Sequence, residues 1–383
     1  MIRRAHEDSW IDFRHEQLDN GTISENKSQE GNLYSVNFKM QFLISSFLCV
    51  AGLVSSAVAQ TKSAADVANY RGADREEVLK AGAKKEGKLV WYTTLTAHRD
   101  IANVFEAKYP GIKVETYRTG STDLLRRIMS EAQSGRNLAD LIETTPPTLM
   151  MMRDGKLLAP YYSPHLKLYP ADSKEEADKE RVLWTTDRES IVGLGFNRNM
   201  MRAADVPKSF ADLVKPQNRG KIGVSGDSTG VRMIGAMIRA KGEEYVKQLK
   251  GLEITMHMIS GGAMHELLAA GEMPMSISIF RNHVLAGQAK GAPTEWLPLD
   301  LAPTNAGGVA LPAASNHPYA ALLMADFLIS PEGQKIFEEK FRFATPTKDY
   351  GFKRWYPETG LTVEQYDKSH DRWQKLLRDV VRR

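Results

Sequence analysis

The chain has 383 residues, 42% of them hydrophobic, enough for one large domain or two ordinary ones. A formal charge of +4 with 26% charged residues and no basic stripe interleaved with aromatics gives no case for nucleic acid as a partner. The single cysteine, Cys49, leaves no disulfide, no CxxC motif and no cysteine zinc set.

Residues 1–35 are polar and aperiodic, which predicts disorder or a start assigned too early; Val36 is a candidate true start. Residues 36–59 then carry Lys39, an apolar run and the exit Ala57-Val58-Ala59, the parts of a secretory signal peptide. A membrane anchor is the other reading, but serines interrupt the run and small residues end it. Cleavage after Ala59 would give a cysteine-free exported chain beginning at Gln60, in the periplasm.

From there helices and short apolar strands alternate. DREEVLKAGAKKE (74–86) predicts a helix stopped by Gly87, KLVWYT (88–93) a strand and AHRDIANVFEAKY (97–109) a helix. IKVETYR (112–118) and ADLIET (139–144) predict strands, with a helix over 122–134 between them and a short helix from Pro146 after them. A second series follows, with strands at 191–197, 221–225, 274–280 and 307–312. Helices are predicted at 229–241, 243–252, 263–270, 317–329 and 331–341. Alternation of this kind predicts an α/β protein whose parallel sheets are flanked by helices. The tail, 346–383, holds Trp355, Tyr356, Tyr366 and Trp373, which predict a closing helix packed on the body.

Four segments, KLVWYTTLTAHRDIANVFEAKYPGIKVETYRTGSTDLLRRI, SGRNLADLIETTPP, LVKPQNRGKIGVSGDSTG and GGVALPAASNHPYAALLMADFLISPEGQKIFEE, resemble the periplasmic solute-binding proteins of ABC importers. The spacing is most similar to the branch that includes ferric-ion binders. The resemblance implies a two-lobed type II binding-protein fold with two crossing strands as the hinge, near Glu189–Gly195 and Asn305–Val309. Lobe 1 would hold 60–189 and the return 305–345, and lobe 2 would hold 190–304. It also implies a monomer that binds a small ligand, closes, and docks on a permease in the inner membrane.

Ligand in such a fold lies at the carboxyl ends of strands. In the first series these ends carry Thr94 and Thr96, with His98 nearby, and Glu143, Thr144 and Thr145. Thr96 is equally an N-cap candidate, and Pro146 equally ordinary helix punctuation. In the second series SGDSTG places Ser228, Thr229 and Gly230 at a helix start, where the resemblance implies a bound anion; a plain cap of that helix by Asp227 or Ser228 is the alternative. Arg281 and Asn282 stand where ferric binders carry adjacent tyrosines. A guanidinium cannot ligate a hard cation but forks onto a carboxylate, phosphate or phosphonate; a surface ion pair is its plainer role. Arg188 is a second candidate cation. The expectation is a small organic anion, with no metal and no cofactor. No GxSxG, HExxH or phosphate loop points to catalysis. A ferric carrier and a periplasmic ligand sensor are the alternatives.

Overall fold

The computed structural model describes residues 64–382; the residue 1–35 extension, the signal segment and Cys49 lie outside them. After helix α1 (Ala64–Ala68), α2 (Arg75–Glu86) carries Glu76 and Glu77 in its first turn and Lys84 and Lys85 in its last, matching the helix dipole. Gly87, at φ 72°, ends it in the left-handed region that glycine enters freely.

Strand β1 (Lys88–Thr93) follows, then α3 (His98–Lys108), β2 (Lys113–Arg118), α4 (Ser121–Gln133), β3 (Leu141–Thr144) and α5 (Pro146–Asp154). β1 pairs in parallel with both β2 and β3 and is mostly buried, as its run of Leu, Val, Trp and Tyr requires. β2, KVETYR, alternates exposed and half-buried residues, the pattern of a sheet edge. Two short strands, β4 (Leu158–Ala159) and β5 (Lys174–Glu176), lead to β6 (Val182–Asn197), the longest strand described.

The second series is α6 (Phe210–Leu213), β7 (Ile222–Ser225), α7 (Ser228–Lys241), α8 (Glu243–Gln248), β8 (Ile254–His257), α9 (Gly261–Ala270), β9 (Met275–Phe280), α10 (Arg281–Gln288) and β10 (Thr294–Leu297). β11 (Ala302–Pro312) returns to the first series and is followed by α11 (Pro318–Ile329) and α12 (Pro331–Glu339). The tail forms β12 (Arg354–Trp355), α13 (Val363–Val380) and β13 (Val381–Arg382). The strands join in the order β13-β8-β7-β9-β6-β11-β3-β1-β2, a curled sheet with β6 and β11 at its middle.

Those two strands are the crossings. The first half of β6 pairs with β5 and β11 and the second half with β9 and β10, so one strand serves both lobes. The sequence pattern had placed a strand only from residue 191. Val182 to Ser190 was missed because TTDRES is polar, yet every residue of it is buried. β8 was missed as well, being four residues long.

The polar crossing is held by charge. Arg188 donates to Glu143 Oε1 at 2.9 Å, and both side chains are buried. Glu143 also accepts from Thr93 Oγ1 at 2.5 Å and from the amide of Leu95 at 3.1 Å. Gly307 makes room: a Cβ there would strike the Glu143 carboxylate and lie 2.9 Å from both Arg188 Cζ and Asp187 Oδ1. Asp187 is fully buried, and neither carboxylate oxygen has a hydrogen-bond partner. Burial first, and then the Glu143 charge, push its carboxyl well above the usual range, against the pull of Arg188.

The tail closes the body. Thr362 and Gln365 form a capping box at the start of α13, which packs on α7 and α8 and reaches α5. Trp373 lies against Gly235 of α7, its ring 2.8 Å from where a Cβ would stand. A mid-helix glycine costs about 1 kcal/mol; burying a large aromatic side chain stabilises by more, about 1.5–3 kcal/mol.

Two outcomes follow for stability in urea. Arg188→Met strands the Glu143 charge and is expected to cost about 3–5 kcal/mol. Asp187 binds its proton more tightly folded than unfolded, so its contribution to stability is fullest at low pH and is lost as pH rises from the ordinary aspartate range toward the folded value. Asp187→Asn is therefore expected to raise the urea midpoint at neutral pH and to have steadily less effect on acidification.

Candidate functional site

The carboxyl ends of β1, β2 and β3 form one rim. Thr94 is half-buried; its amide donates to the Glu143 carbonyl at 3.0 Å and its hydroxyl to Glu143 Oε2 at 3.3 Å. Thr144 is buried and Thr145 half-buried, and their hydroxyls lie 3.4 and 3.2 Å from Ser121 Oγ. Ser121 begins α4 and belongs to the rim, although it was absent from the expected set. Its signal was present in the sequence, since hydroxyl residues after IKVETYR repeat the pattern of the other strand ends.

Other expected residues of this rim have different duties. Thr96 is exposed and does not cap α3, whose N-cap is Ala97, because the helix begins at His98. His98 turns to β2, its Nδ1 lying 3.0 Å from Thr116 Oγ1. Burial first, then Arg99 and Arg118, hold its pKa below the usual value, so it is neutral at physiological pH. Glu143 and Arg188 are committed to each other beneath the rim, and neither is exposed.

The second rim is built by helix starts. β8, β7 and β9 are adjacent and parallel, so α9, α7 and α10 begin at the same end of the sheet. A Cβ on Gly261, the first residue of α9, would lie 3.5 Å from Thr229 Oγ1 of α7 and 2.5 Å from the Phe280 ring that precedes α10. Three helix N-termini thus converge, each carrying partial positive charge on amides without helical partners. At α7 one of these amides is already taken: Asp227 Oδ1 accepts from the Thr229 amide at 2.8 Å. Asp227 is therefore the cap, as the plainer reading of SGDSTG allowed. Ser228 is exposed, while Thr229 and Gly230 are buried. Gly230 is small because a Cβ would collide with the Ser225 carbonyl.

Arg281 and Asn282 open α10. Asn282 is 7% exposed, and its Oδ1 has no hydrogen-bond partner. Arg281 is half-buried, with its guanidinium 4.8 Å from the Tyr350 ring centre. Among the described residues no carboxylate lies within ion-pair distance of it. Arg75 shows the contrast. It borders a cavity of about 560 Å³ on another part of the molecule, where its Nε meets Asp326 at 2.7 Å and its Nη2 the Tyr162 carbonyl at 2.9 Å. Arg75 is satisfied by the protein, whereas Arg281 is not.

The aromatics Trp91, Tyr92, Tyr161 and Trp184 are buried core residues. Among the described residues no three His, Cys, Asp or Glu side chains are grouped as a metal cage.

A family model described as bacterial extracellular solute-binding protein matches residues 93–341. The fold is similar to that of iron-bound HitA from Pseudomonas aeruginosa, with 24% identity over 76% of this chain and 99% of that one and a TM-score of 0.59. It is similar to AfuA from Actinobacillus pleuropneumoniae with fructose-6-phosphate bound, at 22% identity, 77% and 99% coverage and a TM-score of 0.59. It is likewise similar to IdiA (FutA) from Trichodesmium in complex with iron and citrate, at 19% identity, 77% and 99% coverage and a TM-score of 0.60. No match is found among curated protein sequences. With the crossing strands already described, this match means that the chain belongs to the bacterial extracellular solute-binding proteins, the substrate-binding components of ABC importers.

Proposed function

We propose that this protein captures a small organic anion, a carboxylate, phosphate or phosphonate, and delivers it to an inner-membrane permease. The observation that carries this reading is Arg281, a half-buried cation without a carboxylate partner among the described residues, set at the start of one of three converging helices. Three N-termini and a guanidinium together favour a negative group. A guanidinium binds two oxygens of such a group through parallel, charge-assisted hydrogen bonds. Asn282, Ser228 and the lobe 1 hydroxyls of Thr94, Ser121 and Thr145 would then fix the remainder of the solute.

AfuA, which holds a sugar phosphate, and IdiA, which holds iron with citrate, share the fold and show that it accommodates organic anions. A ferric cargo is disfavoured here because Arg281 and Asn282 stand where tyrosinates would be needed, and a hard cation requires anionic oxygen. Lobe 1 would span 60–189 and 305–345, and lobe 2 would span 190–304, closing as a monomer around the solute without catalysis. Closure requires that the solute bind the closed form more tightly than the open one.

Calorimetry with citrate, fructose 6-phosphate, methylphosphonate and inorganic phosphate tests the site. At least one of these should bind, and Arg281→Ala should weaken it about 100-fold, the value of two charge-assisted hydrogen bonds, with the melting temperature unchanged. Unaltered binding by that variant, or uptake of ferric ion in place of the anions, would remove the reading. Export is tested separately. The mature protein should begin at Gln60 by mass spectrometry, and a chain retaining Trp10 would refute the processing site.

A further inference from the structure

The tail between α12 and α13 is pinned to both crossing strands. Ala344 bridges Glu189 of β6, and Arg354 and Trp355 pair with Ala302 and Pro303 of β11. Glu189 strengthens the anchor by accepting from Arg354 at 2.6 Å and from the Tyr356 hydroxyl. The loop between these anchors carries Tyr350. Its hydroxyl accepts from the Thr345 amide at 3.1 Å and donates to Glu338 of α12 at 3.3 Å. Its ring stacks on Phe352, which lies against Trp296 of β10. The ring is therefore fixed from both sides by elements tied to the hinge.

Three cations gather on that one ring: Arg281 at 4.8 Å, Lys348 at 5.4 Å and Arg354 at 5.8 Å from its centre. Lys348 is neutralised by Glu338 at 2.5 Å and Arg354 by Glu189. Arg281 has no such partner among the described residues. What holds it in place is the π face. A guanidinium held by a ring spends none of its N–H donors on a carboxylate and keeps them for an anion.

We infer that Tyr350 is a positioning residue for the solute: it holds the Arg281 guanidinium by a cation–π contact and so pre-forms the fork that receives the anion. This rests on the proposed anion reading and extends it, because the residue comes from the C-terminal loop, outside the helix starts that build the second rim. A free arginine side chain must give up rotamer freedom when it binds; one held by a ring has already done so. The contact also joins lobe 2, which carries Arg281, to a loop fastened on the crossing strands, so the placement of the fork depends on the state of the hinge.

The test is a double-mutant cycle on the full exported chain, read by calorimetry with whichever of fructose 6-phosphate, citrate, methylphosphonate or phosphate the wild type binds. Tyr350→Leu should weaken binding about tenfold, and Tyr350→Phe, which keeps the ring, should retain most of it. In the Arg281→Ala background, Tyr350→Leu should cost nothing further, because the group it positions is gone. Phenylglyoxal modification of Arg281, followed by peptide mass spectrometry, gives a reading that needs no solute: it should speed up in Tyr350→Leu and stay slow in Tyr350→Phe. Should the leucine variant fail to fold, Tyr350→Met takes its place in the same cycle. If Arg281→Ala weakens binding but loss of the ring does not, or costs as much with Arg281 absent, the positioning role is overturned while the anion site stands. If Arg281→Ala itself leaves binding intact, the anion site falls and the positioning role falls with it.

Discussion

Glu143 sits where the sheet ends of one lobe meet the strand that leads to the other. It is fully buried and receives hydrogen bonds from Thr93, Thr94, Leu95 and Arg188. Those donors come from the end of β1 and from the crossing strand β6, while Glu143 itself is on β3. One carboxylate thus fixes the mutual positions of three strands at the rim. A buried ion pair contributes little net stability against an apolar substitute, because desolvation offsets its attraction. Its value here is geometric. An apolar trio of equal volume would fill the space but would not dictate which backbone amides face the carboxylate. The hydroxyls of Thr94, Thr144 and Thr145 inherit their places from that arrangement, and Gly307 is required because any side chain would occupy the same space.

The parts of the fold most legible in the sequence were those whose burial is apolar. KLVWYT, PMSISIF and GGVALP announce themselves as strands because short apolar or alternating runs lie between turn residues, and the helices of the first series show their period and their glycine stops. The crossing was expected near Glu189–Gly195, but the polar start of its strand, residues 182–188, was not legible. Thr185, Thr186, Asp187 and Arg188 show no strand pattern, since charged residues are seldom buried unless paired. The partners of Arg188 and Glu189, namely Glu143, Arg354 and Tyr356, are 45, 165 and 167 residues away, and no local pattern reveals such distant compensation. The same limit applied to the site. Strand ends could be found by their hydroxyl and glycine residues, and Arg281 by its odd location at a helix start. That Glu143 and Arg188 neutralise each other, and that Arg281 lacks a carboxylate, are facts about pairing, which only the assembled chain displays.

The two rims differ in kind, and the difference bears on how capture and closure divide the work. The lobe 1 rim presents hydroxyls held by a self-neutralised pair, with the exposed Arg118 at the end of β2 as its one cation among the residues described for it. The lobe 2 rim presents helix N-termini and an uncompensated guanidinium. Charge acts over about a Debye length, roughly 8 Å at physiological ionic strength, whereas a hydroxyl acts only on contact. On the proposed reading the solute is first held by lobe 2, in the open form, and lobe 1 adds its hydrogen bonds only when the lobes meet. The lobe 2 rim then sets which charge is accepted, and the lobe 1 rim supplies the preference for the closed form without which no population would shift. A change confined to the lobe 1 hydroxyls should therefore leave the sign of the cargo unchanged and act on closure. On the same reading Arg281 would belong to both steps, because the Tyr350 loop beside it is fastened to both crossing strands.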